Sequence, residues 1–354
     1  MVNTSSFSSS WSSRPLQLFL CREDSLGTRL PLSLLYLLLA ISGTLSNFTV
    51  IYMVFTSRKL RITSNAFIVN GCIADLSVCG FWMPQEAMQG LLPSGSPTAH
   101  SEGYHLFQSS LLVLGLFVSL LSHLLVALNR YVIITKPHIV YQAVYQRKHS
   151  TWMICLTWIF ALLLALVQPG LETWQSIQQE SENATSNNSS NYASLGIALA
   201  ILSQTVLLLH CYMRIVKHVQ GSVKRVSVLD FHLLQQLPFL HTTGQASRRS
   251  QRHLSSISVL LLCLTFFLTT QPLVWVSLLN FFFQPAPREL QLSSCLLLCS
   301  LSAFNPLLYT WKNEEFRRCL RLILRGREST TVAVAAAEVS TTLPTVGQHW
   351  ETLV

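Results

Sequence analysis

The chain has 354 residues, of which 50% are hydrophobic and only 11% charged, where a soluble domain carries about 25% charge. So little charge excludes a water-facing globule of this size and suits a surface turned to lipid. Lys and Arg outnumber Asp and Glu by 24 to 15, an excess that fits either nucleic acid or an acidic membrane face, so its placement along the chain decides.

Residues 1–30 are polar and Ser-rich. The apolar run at 16–20 is too short for the core of a signal peptide, and no basic region precedes it. This segment is expected to be carried across the membrane by the first span. A hydrocarbon core of about 30 Å takes roughly 20 apolar residues of helix. Seven stretches reach or approach that length, at about 31–56, 64–91, 105–135, 150–169, 192–217, 255–283 and 290–311, with loops at 58–61, 92–104, 136–149, 170–191, 218–254 and 284–289. They predict an all-α fold, a seven-transmembrane-helix bundle over 31–311. A short amphipathic eighth helix is expected over 312–324. Phe316, Leu320, Ile323 and Leu324 would face lipid there, while Arg317, Arg318, Arg321 and Arg325 would meet head groups. Residues 325–354 lack a helical face pattern and are expected to form a disordered cytoplasmic tail.

If the amino terminus lies outside, 19 of the 24 Lys and Arg fall in the inner loops, the adjoining helix ends and the tail. Cytoplasmic loops near membrane spans carry such an excess. The chain is therefore expected to be a multi-pass plasma-membrane protein with its amino terminus extracellular and its carboxyl terminus cytoplasmic. The basic inner face suits anionic membrane lipids, and no nucleic acid is needed to explain it. The opposite face agrees: the loop 170–191 is acidic and Asn/Ser-rich, with glycosylation sequons at Asn183, Asn187 and Asn188, and Asn3 opens another. Asn183 is the preferred site, and Asn187 and Asn188 would not both carry glycans.

Ionisable residues inside a span are functional candidates by default. Asp75 lies deep in the second span, and Asn47, Ser119, Ser302 and Asn305 lie at depths that could face it. Two readings stand: a neutral carboxyl holding helices together, or an ionised one holding a cation in a water pocket. Arg130 closes the third span, where it could also snorkel to the interface. Pro272 and Pro306 each free a carbonyl within a span and make a deformable point. Nine cysteines are scattered singly, without metal or disulfide spacing. No metal cluster, nucleophile triad or phosphate loop occurs, so the chain is not expected to be an enzyme.

In order along the chain, Asn47, Ala74-Asp75, Asn129-Arg130-Tyr131, Trp158, Tyr212, Phe266, Pro272 and Asn305-Pro306-Leu307-Leu308-Tyr309 resemble the signatures of rhodopsin-like (class A) G-protein-coupled receptors, and Phe316 follows at the family's usual gap. The resemblance covers roughly residues 31–324. It implies a receptor that activates heterotrimeric G proteins, with the inhibitory class preferred, and that also meets arrestin. It implies an allosteric sodium site at Asp75, Ser119, Ser302 and Asn305. Activation and coupling would run through Asn129, Arg130, Tyr131, Tyr212, Phe266, Pro272, Pro306 and Tyr309. The outer cavity would be lined by Leu112, Val113, Leu116, Thr270, Leu273, Val274, Cys295 and Cys299, with Gln85 and Glu86 as polar anchors for an unknown, apolar ligand.

The chain also departs from that pattern. The family's acid before the arginine is Asn129, and the frequent acid at the foot of the sixth helix is Arg252. One attraction is lost and one repulsion gained in the resting state, which predicts ligand-independent activity. Thr270 stands where the family keeps a tryptophan, and Gln204 where it keeps a proline. The usual outer disulfide cannot form, because its helix position is His105 and neither 92–104 nor 170–191 holds a cysteine. Leu112 and Cys299 replace the amine-binding acid and the retinal-binding lysine. Cys319 is a palmitoylation candidate, an unmodified thiol being the other reading. The terminal Glu351-Thr352-Leu353-Val354 has the form of a PDZ-domain ligand, or is an inert tail. Two other functions are compatible with parts of this pattern. An ion transporter or channel would use Asp75, but no inverted repeat relates the halves. The other is a non-signalling partner of other receptors.

Overall fold

A computed structural model describes residues 26–91, 102–181, 187–236, 243–283, 286–311 and 313–323. The sequons at Asn3 and Asn183, Lys312 and the tail from 324 to Val354 lie outside the described residues. The elements are α1 (Leu26–Thr56), a 3-10 turn (Arg58–Leu60), α2 (Thr63–Ser77), a π turn (Val78–Trp82), α3 (Met83–Leu91), α4 (Glu102–Thr135), α5 (His138–Val144), α6 (Arg147–Ser181), α7 (Asn187–Gln236), α8 (Thr243–Phe282), α9 (Arg288–Trp311) and α10 (314–323). No strand occurs among the described residues. Among the described residues, seven stretches are long and apolar enough to cross a membrane: Leu30–Thr56, Thr63–Met88, Phe107–Thr135, Arg147–Leu166, Leu195–Gly221, Cys263–Phe282 and Glu289–Leu308. The chain is a seven-helix transmembrane bundle.

The helices carry two apolar faces, one for lipid and one for the bundle. On α1, Leu34, Leu38, Ile41, Leu45, Phe48, Tyr52 and Phe55 are exposed at alternating spacings of four and three, while Tyr36, Leu39, Ala40, Val50, Met53 and Val54 are buried. A 3.6-residue period puts the first set on one stripe. In hydrocarbon that stripe needs no cover.

Small residues and polar side chains bring the helices together. A Cβ on Gly115 would stand 2.6 Å from Ser77 Oγ and 2.8 Å from Val78 Cγ2, and one on Gly43 would stand 2.5 Å from Cys79 Sγ. Backbones approach closely where such residues meet. Asn70 donates to Ser122 Oγ at 2.8 Å and accepts from Trp158 Nε1 at 2.8 Å, so α2, α4 and α6 share one buried cluster. Asn47 Nδ2 donates to the Gly43 and Ser302 carbonyls, both at 2.9 Å, and ties α1 to α9. Gln204 donates to the Leu120 carbonyl, and Gln271 Nε2 donates to Thr205 Oγ1 at 3.1 Å between α8 and α7.

The second span widens just outside Asp75. The Met83 N–H reaches back to the Val78 carbonyl, five residues earlier. Pro84 follows and has no N–H to give to Gly80, and its ring crowds that carbonyl. A π turn absorbs the mismatch without ending the helix, as π turns often do near functional sites.

Helix reaches further than the hydropathy pattern predicts. Much of the expected outer loop 170–191 belongs to the end of α6 and the start of α7, and α7 and α8 take most of 218–254. Beyond Gly170 the chain is rich in Gln and Glu, and no proline interrupts 222–236, so good helix formers carry the turns onward. Phe316 corrects the expectation for the eighth helix. It is fully buried in the main apolar cluster rather than turned to lipid. Leu320 remains exposed and Cys319 and Ile323 are partly buried, so α10 anchors itself to the bundle by one aromatic side chain.

Candidate functional site

The Asp75 carboxyl is 1% exposed at the inner end of the second span's wide turn. Asn305, on α9 immediately before Pro306, donates from Nδ2 to Asp75 Oδ2 at 2.8 Å and to Ser119 Oγ at 3.2 Å. The Ser119 and Ser302 hydroxyls both stand beside the same carboxyl. Asp75, Ser119, Ser302 and Asn305 thus meet, with α2, α4 and α9 each contributing. Asp75 Oδ1, Asn305 Oδ1 and Asn47 Oδ1 are buried and accept no hydrogen bond. Acceptors left in this way inside a protein are rare and costly. A set of hard oxygen donors around one carboxylate fits a small hard cation.

One turn further along α4 stands His123, 3% exposed, which the sequence reading missed. A histidine in an apolar run carries no motif, and only its depth beside Ser119 could have singled it out. Its Nδ1 is 2.9 Å from the Ser119 carbonyl, and its ring lies against Phe266, with centroids 5.9 Å apart and planes at 49°. Phe266 is buried on α8, and Thr270 Oγ1 donates to its carbonyl at 2.8 Å. Pro272 lies inside α8 and Pro306 inside α9.

At the other end of α4, Asn129 is wholly buried and Arg130 partly so. Neither polar atom of the Asn129 amide has a partner, and neither has Arg130 Nε. No carboxylate pairs with Arg130 among the described residues. Tyr212, buried on α7, is near enough to feel its charge. Tyr131 is partly buried, and Tyr309 belongs to α9. Arg252 lies on α8, and its side chain is outside the described residues.

Below Arg130 the chain turns at Pro137 into α5, none of whose residues is buried. Ile139 is 79% exposed, with Ile133, Val140 and Val144 also exposed. The short helix is held by Tyr145, which stacks on Tyr141 at 5.2 Å and meets Phe67 edge-on at 6.0 Å. Burial, aided by Tyr141 and then Cys211, pushes the Tyr145 phenol up to about 12, so it remains a neutral hydroxyl.

The residues expected around the outer cavity are buried: Glu86, Leu112, Leu116, Thr270, Leu273, Val274, Cys295 and Cys299, with Gln85 partly exposed. Val113 instead joins a second cluster with Phe117, Ala161 and Ala165. None of the described cysteines forms a disulfide.

Comparison with known proteins gives a consistent result. The family model described as 7 transmembrane receptor (rhodopsin family) matches residues 46–309. Pinopsin of Columba livia is 25% identical over 329 residues, covering 88% of this chain and 87% of its own. The substance-K receptor of Canis lupus familiaris is 25% identical over 304 residues, covering 82% and 74%. Rhodopsin of Galeus melastomus is 24% identical over 331 residues, covering 85% and 84%.

Proposed function

Because the chain belongs to the rhodopsin family of seven-transmembrane receptors, it is a signalling receptor of the plasma membrane and not an enzyme, and we propose that it activates heterotrimeric G proteins of the inhibitory class with appreciable output in the absence of ligand. The observation that carries the last point is Arg130 without a carboxylate partner, beside an Asn129 amide that makes no hydrogen bond. An arginine held by an acid favours one arrangement of the helix ends. Without that acid the same conformers lie closer in free energy, and the population able to bind a partner rises.

The partner would dock on the cytoplasmic side, where α5 presents Ile139 beside the end of the third span. An exposed apolar side chain rimmed by Lys136 and His138 suits a protein interface centre. With α5 on the cytoplasmic side the amino terminus would lie outside, as the distribution of cations favours. Arrestin would share the surface.

Asp75, Ser119, Ser302 and Asn305 would hold a sodium ion that favours the resting state, and the unsatisfied oxygens of Asp75 and Asn305 support this. When bound, the ion supplies a fixed positive charge beside Asp75. The ligand would be mainly apolar, with Glu86 and Gln85 as its polar anchors. Light sensing is not proposed despite the likeness to opsins, since Cys299 has no amine with which to form a Schiff base. Palmitate on Cys319, half-buried on the face of α10, and a PDZ domain on Val354 would add to the membrane and scaffold attachments.

The test is guanine-nucleotide exchange on a panel of purified G proteins by the receptor in lipid discs with no ligand added. Exchange on the inhibitory class above the receptor-free rate supports the reading. No exchange on any member, with ion flux in liposomes instead, would overturn it in favour of a channel or transporter.

A further inference from the structure

His123 is a buried titratable side chain that belongs neither to the Asp75 oxygens nor to the coupling surface. The Ser119 carbonyl beside its Nδ1 can only accept a hydrogen bond, so Nδ1 carries the proton and the ring is held in one tautomer. The same Ser119 receives a hydrogen bond on its hydroxyl from Asn305, at 3.2 Å, and Asn305 donates to Asp75 at 2.8 Å. Asn305 also stands beside the imidazole. The ring then meets Phe266. Among the described residues no other ring touches Phe266, and Thr270 above it offers only a hydroxyl. Aromatic contacts orient both partners.

We propose that His123 is the positioning residue through which the Asp75 cluster biases α8. The path has four links, each a direct contact: Asp75 to Asn305, Asn305 to Ser119, Ser119 to His123, and His123 to Phe266. A change in what the Asp75 carboxyl holds moves the Asn305 amide. Ser119 and the imidazole answer to that amide, and Phe266 answers to the imidazole. Phe266 lies six residues before Pro272, on the inner arm of a helix that lacks one backbone hydrogen bond at that proline. A small rotation of the ring is thus applied to the part of α8 that can pivot. A leucine at position 123 would fill the space at less cost in an apolar core, so what distinguishes the polar ring is what it contacts.

The inference rests on the reading of Asp75 as a site whose state matters to signalling, and a mutant cycle separates the two. Ligand-free nucleotide exchange is measured for the unmodified receptor, Asp75→Asn, His123→Leu and the double variant, at equal receptor number. A fluorophore at the inner end of α8 follows the same four proteins without G protein. Asp75→Asn is expected to change both readouts about fivefold or more in the unmodified background, the usual scale of site coupling, and by less than about twofold in the His123→Leu background. His123→Gln, whose amide can meet both Ser119 and Asn305, should restore at least about half of the effect, which a merely space-filling role would not allow. If His123→Leu does not reach the surface, His123→Phe replaces it, keeping the ring on Phe266 without the polar atoms, with the same loss expected. An Asp75→Asn effect of equal size in both backgrounds overturns the role of His123 alone. No effect of Asp75→Asn in the unmodified receptor overturns the reading of Asp75, and the link falls with it.

Discussion

Replacing Asn129 by aspartate should lower ligand-free output about tenfold. Asn129 is 0% exposed, and the Arg130 Nε beside it is buried without a partner. A carboxylate placed about 6 Å from the guanidinium would gain about 2.8 kcal/mol at an effective dielectric of about 20. Arg130 is only partly buried, so roughly half of this survives solvent screening. The desolvation cost of the new carboxylate is common to every conformer that keeps it buried, and only the difference between conformers moves the population. That difference is about 1.4 kcal/mol, a factor of ten, provided the pair is broken when Arg130 engages a G protein. The assay is nucleotide exchange on an inhibitory-class G protein at matched surface number. Asn129→Leu, of similar size and uncharged, serves as the control and should not lower output. Adding Arg252→Glu should lower it further, because a second carboxylate then replaces a repelling cation. Basal exchange within about twofold of the unmodified receptor for Asn129→Asp would refute the argument that the missing acid sets the resting population.

Three further outcomes follow from the packing. Asp75→Asn should abolish any effect of sodium on exchange, since the neutral amide removes the charge that attracts the ion; a sodium effect that persists would place the site elsewhere. Ile139→Asp, at the 79% exposed tip of α5, should cut G-protein activation about tenfold or more by putting a charge in an apolar interface, with surface expression unchanged; normal activation would show that α5 is not the docking helix. Gly115→Ala should lower the melting temperature of the solubilised receptor, because the new methyl would stand 2.6 Å from Ser77 Oγ and 2.8 Å from Val78 Cγ2 and overpacking costs about 1–3 kcal/mol; an unchanged melting temperature would mean that α4 and the π turn can part without cost.

The sequence by itself determined the number of spans, because about 20 apolar residues of helix are what hydrocarbon demands and seven runs supply them. It also marked Asp75, Asn305, Arg130 and the two prolines, since polar groups and missing donors stand out against an apolar background. What it could not separate was the bundle face from the lipid face. In water a buried face is apolar and an exposed face polar, so periodicity tells them apart, but in a bilayer both faces are apolar. Phe316, turned into the bundle rather than to lipid, and Val113, packed against Ala161 and Ala165, were therefore decided only by tertiary contacts. The π turn before Pro84 is different, since its cause is local: the proline has no N–H to give and its ring crowds the Gly80 carbonyl. The meeting of His123 with Phe266 was invisible, because two side chains 143 positions apart share no motif. Only the approach of α4 to α8 brings their rings within 5.9 Å.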